Sequence, residues 1–361
     1  MCIRDREMAP PIDGGDLRRT GKEGKLMKKR SLLGRVAQLA GVAMVAALAG
    51  LSQAAAKEKI SYAYLADPAL EGILYGIKSG KVTSDLIEIE ASALQIPALI
   101  SSTPAKKYDV IMNAVMAIPF AKKRGLNLVV LSSALRSAPG REGAGIWVKK
   151  DSPYKTLADL KGKKIGSYSL RATGTTWIRI ALWKKHGINV SYKGGDYEWV
   201  QIPAPALLTS LETGNVDAAT LIHSQAYKAR NSGDYRVLTW TSKDNFELFG
   251  ADTLSAVNVT YPEKLKARPE AFKEFNRMLH ESVQYAVNNP DQVGAAIAKQ
   301  TAKITADYFK AWLKDYSYFP GVVSEADKKA MTTVWTMSKE MGILKKVPDV
   351  NAVIWKHAIT E

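Results

Sequence analysis

The chain has 361 residues, of which 46% are hydrophobic and 24% charged, which suits one large or two medium globular domains. The net charge is +16, but the lysines are dispersed in pairs such as Lys106-Lys107 and Lys345-Lys346, so we expect no nucleic-acid partner. The single cysteine, Cys2, lies outside the part of the chain expected to fold. This excludes a disulfide framework, a thiol nucleophile and a cysteine metal site there.

The N-terminal part of the sequence predicts export. Residues 1–26 are polar and lack periodicity, and we interpret them as a non-native segment or an upstream extension, from read-through or cloning. Residues 27–56 have a basic start, an apolar stretch and a small-residue A-x-A end, which is typical of a cleavable signal peptide. The apolar stretch is shorter than the roughly 20 residues that span a bilayer, although an N-terminal anchor helix is an alternative. We therefore expect a protein released into the periplasm.

The first part of the mature chain alternates strands and short helices. Strands are predicted over 59–65, 86–93, 108–115 and 126–135, with a helix beginning at Pro68 after the first of them. Asp67 is predicted to be the N-cap of that helix. Strands separated by short helices favour parallel βαβ units.

A Gly/Pro-rich break over 136–145 precedes a second alternating set. We interpret Arg136 and Arg141 in this break as solvated loop charges rather than a clamp beside a hinge. Further strands are predicted near 144–149, 164–168, 197–203, 235–241 and 254–265, and helices over 174–186, 269–288, 292–300, 306–316, 324–341 and 350–358. Tryptophans in these last helices, Trp312 among them, are interpreted as core residues.

The two halves of the chain repeat one pattern. The phrases "KKYDVIMNAV" and "GNVDAATLIH" each lead from a helix into a strand. Any doubly wound domain gives this pattern, but it also predicts two similar lobes joined by two crossing strands.

The stretch "KIGSYSLRATGTTWIRIALWKKHG" contains the strongest candidate for a binding site. Ligands of doubly wound lobes bind beyond the carboxyl ends of strands, and a helix N-terminus offers free N–H groups and partial positive charge. Gly174 allows a ligand to approach the backbone, and Arg171 suits a carboxylate or sulfonate. Hydroxyls come from Thr173, Thr175 and Thr176. The cluster predicts an anion site, and plain N-capping by Ser or Thr is the alternative.

Further candidates follow other strand ends or begin the helices beside them. Asn113 is interpreted either as a ligand contact or as a helix cap, and His223 as a ligand contact or a structural histidine. Aromatic side chains nearby favour a ligand larger than nitrate, although packing is the usual role of tryptophan. The remaining candidates for ligand contacts are Tyr64, Gln225 and Trp177.

Four phrases resemble the periplasmic substrate-binding proteins of ABC importers. They are "YDVIMNAVMAIPFAKKRGLNLVVLSSAL", "WVKKDSPYKTLADLKGKKIGSY", "PALLTSLETGNVDAATLIHSQAY" and "PEKLKARPEAFKEFNRMLHESVQYAVNNPDQVGAAI". The likeness is to the branch that serves taurine, alkanesulfonates, nitrate and thiamine-pyrimidine precursors, and it covers nearly the whole mature chain. The segment "LIHSQAY" departs from the family, which usually has an apolar or acidic residue and then Pro there, so the ligand's identity does not carry over.

The resemblance implies an α/β fold of the two-lobed, type II-like periplasmic binding protein class, each lobe a doubly wound sheet, with a helical C-terminal extension. We expect lobe I to comprise 57–143 and 254–361, and lobe II to comprise 144–253. The implied function is to bind a small organic anion between the lobes, a sulfonate or carboxylate, with aromatic anions among the candidates. The protein, a monomer, would deliver it to the permease of an importer in the inner membrane.

Enzyme chemistry finds no support in the sequence. The four histidines form no H-x-x-x-H or H-E-x-x-H pattern, and G-x-S-x-G and G-x-x-x-x-G-K-[ST] are absent. The related pyrimidine synthase relies on a cysteine-rich segment, which the mature chain lacks. We therefore expect no enzyme, cofactor or metal. A periplasmic sensing module for a membrane receptor is the alternative, and a pyrimidine-synthase-like enzyme is a more remote one.

Overall fold

The computed structural model describes residues 56–301, 304–317 and 322–359. The upstream extension and, apart from Ala56, the predicted signal peptide lie outside the described residues. Residues from Lys57 to Glu361 form one compact unit. Among the described residues, no helix combines the length and apolar character needed to cross a membrane.

The first sheet has six strands in the order β11-β4-β10-β3-β1-β2. Its parallel strands β2, β1 and β3 fit the predicted βαβ units, whereas β10 runs antiparallel to both β3 and β4. The strands are β1 (Glu58–Leu65), β2 (Ile87–Leu94), β3 (Val110–Ala114), β4 (Val129–Ser137), β10 (Leu254–Thr260) and β11 (Tyr316–Ser317).

The second sheet has five strands in the order β7-β6-β8-β5-β9. Here β5 is the antiparallel strand, between β8 and β9. The strands are β5 (Ile146–Lys149), β6 (Lys164–Ser167), β7 (Glu198–Gln201), β8 (Ala218–Ala219) and β9 (Tyr235–Thr239).

Each sheet therefore contains one strand that the chain enters directly from the other sheet. Strand β5 follows the first sheet's β4 but pairs in the second sheet, and β10 follows β9 but pairs in the first sheet. The two sheets share one strand order, with the crossing strand inserted at the same place. This confirms the two-lobed α/β fold, while the lobe boundaries at 143/144 and 253/254 stay a prediction.

Helices cover the faces of both sheets. Apolar side chains from α1 and α10 to α12 pack on one face of the first sheet, and those from α4 and α13 pack on the other. The helices are α1 (Pro68–Ile73), α2 (Tyr75–Lys78), α3 (Ile96–Ser102), α4 (Ala117–Lys123), α5 (Thr173–His186), α6 (Ala204–Glu212), α7 (His223–Ser232), α8 (Thr241–Phe249), α9 (Pro262–Ala267), α10 (Pro269–Asn288), α11 (Pro290–Gln300), α12 (Asp307–Asp315) and α13 (Glu325–Glu340).

Two predicted elements differ from the structure. Residues 350–358 are not a helix, because Val130 of β4 donates its N–H to Val353 and accepts from Trp355, which ties the segment to the sheet. The predicted strand over 254–265 ends at Thr260, and Pro262 opens α9 instead.

Arg136 is likewise not a solvated loop charge. It lies in β4, 12% exposed, and pairs with Asp327 at the start of α13 and with Asp252 just before β10. The interpretation of this arginine as a loop charge was wrong, because β4 extends two residues beyond the predicted strand end. Arg141, by contrast, lies exposed in the loop.

Candidate ligand-binding site between the lobes

Helix α5 follows β6 after the turn 168–172 and lies against the first lobe. Its N-cap is Ala172, with extended backbone (φ −71°, ψ 147°) and no side-chain capping bond. The interpretation of the cluster as plain Ser or Thr capping is therefore wrong. Among the described residues, the N–H groups of Thr173 and Gly174 donate to no acceptor, as is usual in a first helical turn. These two N–H groups remain available as hydrogen-bond donors to an anion.

The three threonines of this turn are buried and bonded within the protein. Thr173 Oγ1 accepts from the N–H of Met116 at 2.9 Å, a hydrogen bond between the lobes. Thr175 Oγ1 lies 2.9 Å from Ser167 Oγ, and Thr176 Oγ1 donates to the carbonyl of Ala172 at 3.1 Å. Their hydroxyls thus position α5, and their contact with a ligand stays a prediction.

We expect Thr175→Val to lower the free energy of unfolding by about 1–2 kcal/mol, because the buried hydroxyl of Ser167 would lose this partner and keep only its 3.2 Å hydrogen bond from Thr220. Thr176→Val is the matched control, since the Ala172 carbonyl keeps the N–H of Thr176 as a donor. Urea unfolding followed by circular dichroism measures both variants. Equal losses in the two variants would contradict the role assigned to the bond between Thr175 and Ser167.

Gly174 accommodates a tyrosine of its own lobe. A Cβ at this position would collide with the hydroxyl oxygen of Tyr168. Burial raises the pKa of Tyr168 to about 12, although hydrogen bonds from Thr175 act in the opposite direction. The close approach that glycine permits is therefore made by a phenol hydroxyl in this structure.

Two candidates from the first lobe also have protein partners. Tyr64 donates to Glu71 Oε1 at 2.5 Å and accepts from Lys78 Nζ at 2.6 Å. Asn113 donates to Thr103 Oγ1 at 2.8 Å and accepts from the N–H of Ala114. Their roles as ligand contacts stay predictions.

Asp67 caps α1 as predicted, because its Oδ1 accepts from the N–H of Ala69 at 2.9 Å. The same oxygen accepts from the hydroxyl of Tyr308 at 3.2 Å. The C-terminal helices therefore reach the edge of the first sheet where the candidate site lies.

The candidates of the second lobe differ in their surroundings. His223 opens α7 with φ 49° and is 6% exposed, and Gln225 has a buried Oε1 without a partner among the described residues. Trp177 packs in the core between α5 and α13 and donates from Nε1 to the carbonyl of Leu254 at 3.0 Å. Arg171 is exposed. Their contact with a ligand stays a prediction.

Sequence reasoning missed the aromatic side chains that α12 and β11 place against α7. Trp312 is buried in the core as predicted, yet its Nε1 donates to His223 Nδ1 at 2.8 Å. Tyr316 stacks on the same imidazole, with ring centres 4.7 Å apart and planes 10° from parallel. Since these residues lie about ninety positions from His223, no local pattern could have indicated the contact.

Two α/β sheets exchanging one strand each, with polar groups gathered at the strand ends between them, define a periplasmic binding protein fold. Similar solved structures support this assignment. The family model "NMT1/THI5 like" matches residues 100–293, more than half of the chain. The protein belongs to the NMT1/THI5-like family.

Several solved structures share the fold at low sequence identity. The periplasmic aliphatic sulphonate binding protein SsuA of Escherichia coli is 17% identical, with a TM-score of 0.64, and the match covers 84% of this chain and 99% of that one. SsuA of Xanthomonas axonopodis pv. citri, bound to MOPS, is 16% identical with a TM-score of 0.64 and coverages of 83% and 99%. A Candida albicans gene product with the generic periplasmic binding protein fold is 16% identical, with a TM-score of 0.64 and coverages of 82% and 96%.

A shorter match links the chain to an enzyme. The 4,5-dihydroxyphthalate decarboxylase of Pseudomonas putida is 36% identical over 56 residues, which are 16% of this chain. The match spans about a fifth of the length of that relative. The two SsuA structures are named as sulfonate-binding proteins, whereas this shorter match is to a protein named as a decarboxylase.

Proposed function

We propose that this protein is the extracytoplasmic solute-binding component of an ABC importer. It binds a small organic anion, a sulfonate or a carboxylate, between its lobes and delivers it to a membrane permease. The observation that carries the proposal is the first turn of α5, where two backbone N–H groups without a protein acceptor lie next to the contact between Thr173 and Met116.

The chemistry of this turn favours an anion. The free N–H groups at a helix N-terminus together carry a partial positive charge of about half an elementary charge. Arg171 precedes the turn by two residues, is exposed, and can offer two parallel N–H groups to a carboxylate or sulfonate. The similar proteins SsuA and 4,5-dihydroxyphthalate decarboxylase are both named for organic anions. Their names support an organic anion as the ligand of this protein.

In this proposal, closure of the lobes tells the permease that a ligand is bound. A ligand that contacts both lobes stabilises the closed form by its preference for that form, and the permease then recognises it. The remaining contacts proposed for the ligand come from side chains at the neighbouring strand ends and helix starts: Thr173, Gly174, Thr175, Thr176, Asn113, Tyr64, Trp177, His223 and Gln225.

A thermal-shift screen of the purified protein identifies the ligand. The panel contains taurine, alkane and aryl sulfonates, nitrate, aliphatic and aromatic carboxylates, and pyrimidines. A ligand at a hundred times its dissociation constant adds about 2.7 kcal/mol to the stability of the folded state, which raises the melting temperature. Stabilisation by anions supports the proposal. Stabilisation confined to neutral heterocycles contradicts the anion site but keeps the fold.

We expect Arg171→Ala to weaken binding of the identified anion by about 1.5–3 kcal/mol, the usual loss for a hydrogen bond to a charged group. Isothermal titration calorimetry measures the change as a tenfold or greater rise in Kd. Arg124→Ala is the matched control, because Arg124 is also exposed but follows α4 in the first lobe. Unchanged affinity in Arg171→Ala, or equal loss in both variants, would rule out this arginine as a ligand contact.

A further inference from the structure

Helix α7 of the second lobe is held against α12 and β11 of the first lobe by a compact set of side chains. The imidazole of His223 lies beside two rings, with its centre 6.2 Å from that of Trp312 and 4.7 Å from that of Tyr316. The planes differ by 21° and 10°, so the three rings are nearly parallel. The indole N–H of Trp312 donates to Nδ1 of the imidazole at 2.8 Å.

Polar contacts flank these rings on both sides. Arg230, near the end of α7, donates to Asp315 Oδ2 of α12 at 3.0 Å. Tyr227 shares a 2.7 Å hydrogen bond with Thr305, and its ring packs edge-on against Tyr308. Tyr316 also donates to the carbonyl of Gly143 in the loop between the sheets. The contact therefore extends along α7.

The hydrogen bond to Trp312 fixes the protonation state of His223. An indole N–H can donate and cannot accept, so Nδ1 must carry a lone pair and the ring must be neutral in this arrangement. A proton on Nδ1 would face the indole N–H, and the charged ring would lie in a site that is 6% exposed. Protonation therefore removes one hydrogen bond and adds a desolvated charge.

We propose that His223, Trp312 and Tyr316 form a pH-sensitive clasp, which holds the two lobes together while the imidazole is neutral and releases them when it is protonated. The clasp consists of the protein's own side chains, so it goes beyond the proposed ligand binding and can be tested without a ligand.

The charged and titratable groups around the clasp set its pH range. Burial lowers the pKa of His223, and the nearby carboxylate of Asp67 offsets part of that effect. In the opened form the imidazole meets water and regains its ordinary value of about 6.5. The other groups that face the cluster are Tyr168 and Tyr308, whose phenols are neutral in this range, and Asp315, whose pKa is raised by burial although its ion pair with Arg230 acts in the opposite direction.

The sign of the effect follows from these values. Protonation of His223 favours the opened form. The clasp is therefore fully present above pH 6.5, and it is lost as the pH falls from 6.5 towards the lower pKa that His223 has in the closed form. Within that window the ratio of opened to closed protein rises up to tenfold for each pH unit.

Small-angle X-ray scattering of the purified, ligand-free protein between pH 7.5 and 5 tests the clasp. We expect the radius of gyration to increase as the pH falls below 6.5, while circular dichroism shows that secondary structure is kept. His223→Asn removes the titrating group, and asparagine tolerates the positive φ of this position. This variant is expected to show no scattering transition. His357→Asn, the same change at an exposed histidine, should behave as the wild type.

A second measurement keeps the test decisive if His223→Asn fails to fold. Proton NMR titration of the wild type should show the imidazole of His223 with a pKa below 6.5, and Trp312→Phe, which keeps a ring but removes the donor, should raise that pKa. An unchanged radius of gyration in the wild type, an identical transition in His223→Asn, or an unshifted titration in Trp312→Phe would each overturn the proposal.

Discussion

Replacing Arg136 with methionine is expected to lower the free energy of unfolding by about 3–5 kcal/mol, the loss that follows when one partner of a buried ion pair is removed. Arg136 Nη1 lies 3.1 Å from Asp327 Oδ1 and 3.3 Å from Ser324 Oγ, and Nε lies 3.7 Å from Asp252 Oδ2. The two carboxylates are 1% and 7% exposed. Without the guanidinium they would remain buried beside each other.

Equilibrium unfolding in urea measures this change as a lower transition midpoint. Arg141→Met is the matched control, because Arg141 is an exposed arginine in the following loop, and it should change stability by less than about 0.5 kcal/mol. A loss below 1 kcal/mol in Arg136→Met would show that the pair is solvated. The role assigned to Arg136 as a buried partner of the two carboxylates would then be contradicted.

Trp177→Ala is expected to lower the free energy of unfolding by about 3–5 kcal/mol, as much as Arg136→Met, because it leaves a large cavity in the core. The indole is 2% exposed, and its Nε1 donates to the carbonyl of Leu254 where β10 begins. Its ring lies 6.3 Å from that of Phe249 at the end of α8. The side chain thus joins both lobes to the crossing strand.

Trp177→Phe separates packing from ligand contact. It keeps an aromatic ring but loses the N–H, so we expect a loss of about 1–2 kcal/mol in stability, from the unmade hydrogen bond and the smaller ring. If Trp177 also contacts the ligand, Kd should rise in this folded variant. An unchanged Kd together with the loss of stability would assign Trp177 to the core alone.

Local patterns predicted much of the fold. The alternating apolar residues of 59–65 and the Asp67-Pro68 pair placed β1 and the start of α1 correctly, because these signals act within a few residues. The segment 350–358 was predicted wrongly, since its backbone bonds to Val130, more than two hundred residues away, override its helical spacing. Helix α8 (Thr241–Phe249) was not predicted, because its sequence has no equally clear local pattern.

The candidate site, like the fold, could be predicted only in part from local patterns. The strand-to-helix turn before α5 could be located from the glycine and the hydroxyl residues around it. The bonds that its threonines make could not, because Met116 lies in the other lobe and Ser167 acts through a buried hydroxyl pair. The partners of Arg136 and His223 are also far away in sequence, so the pattern around each residue gave no sign of them.

The exchange of crossing strands sets an order in which the chain can fold. All five strands of the second sheet lie within 146–239, so that sheet can form as soon as this continuous stretch is available. The first sheet lacks its central β10 until 254–260 arrive, and until then β3 and β4 have unpaired edges. A chain that emerges from its N-terminus therefore completes its second lobe before its first. Truncation ahead of β10 would leave the first lobe split at its centre.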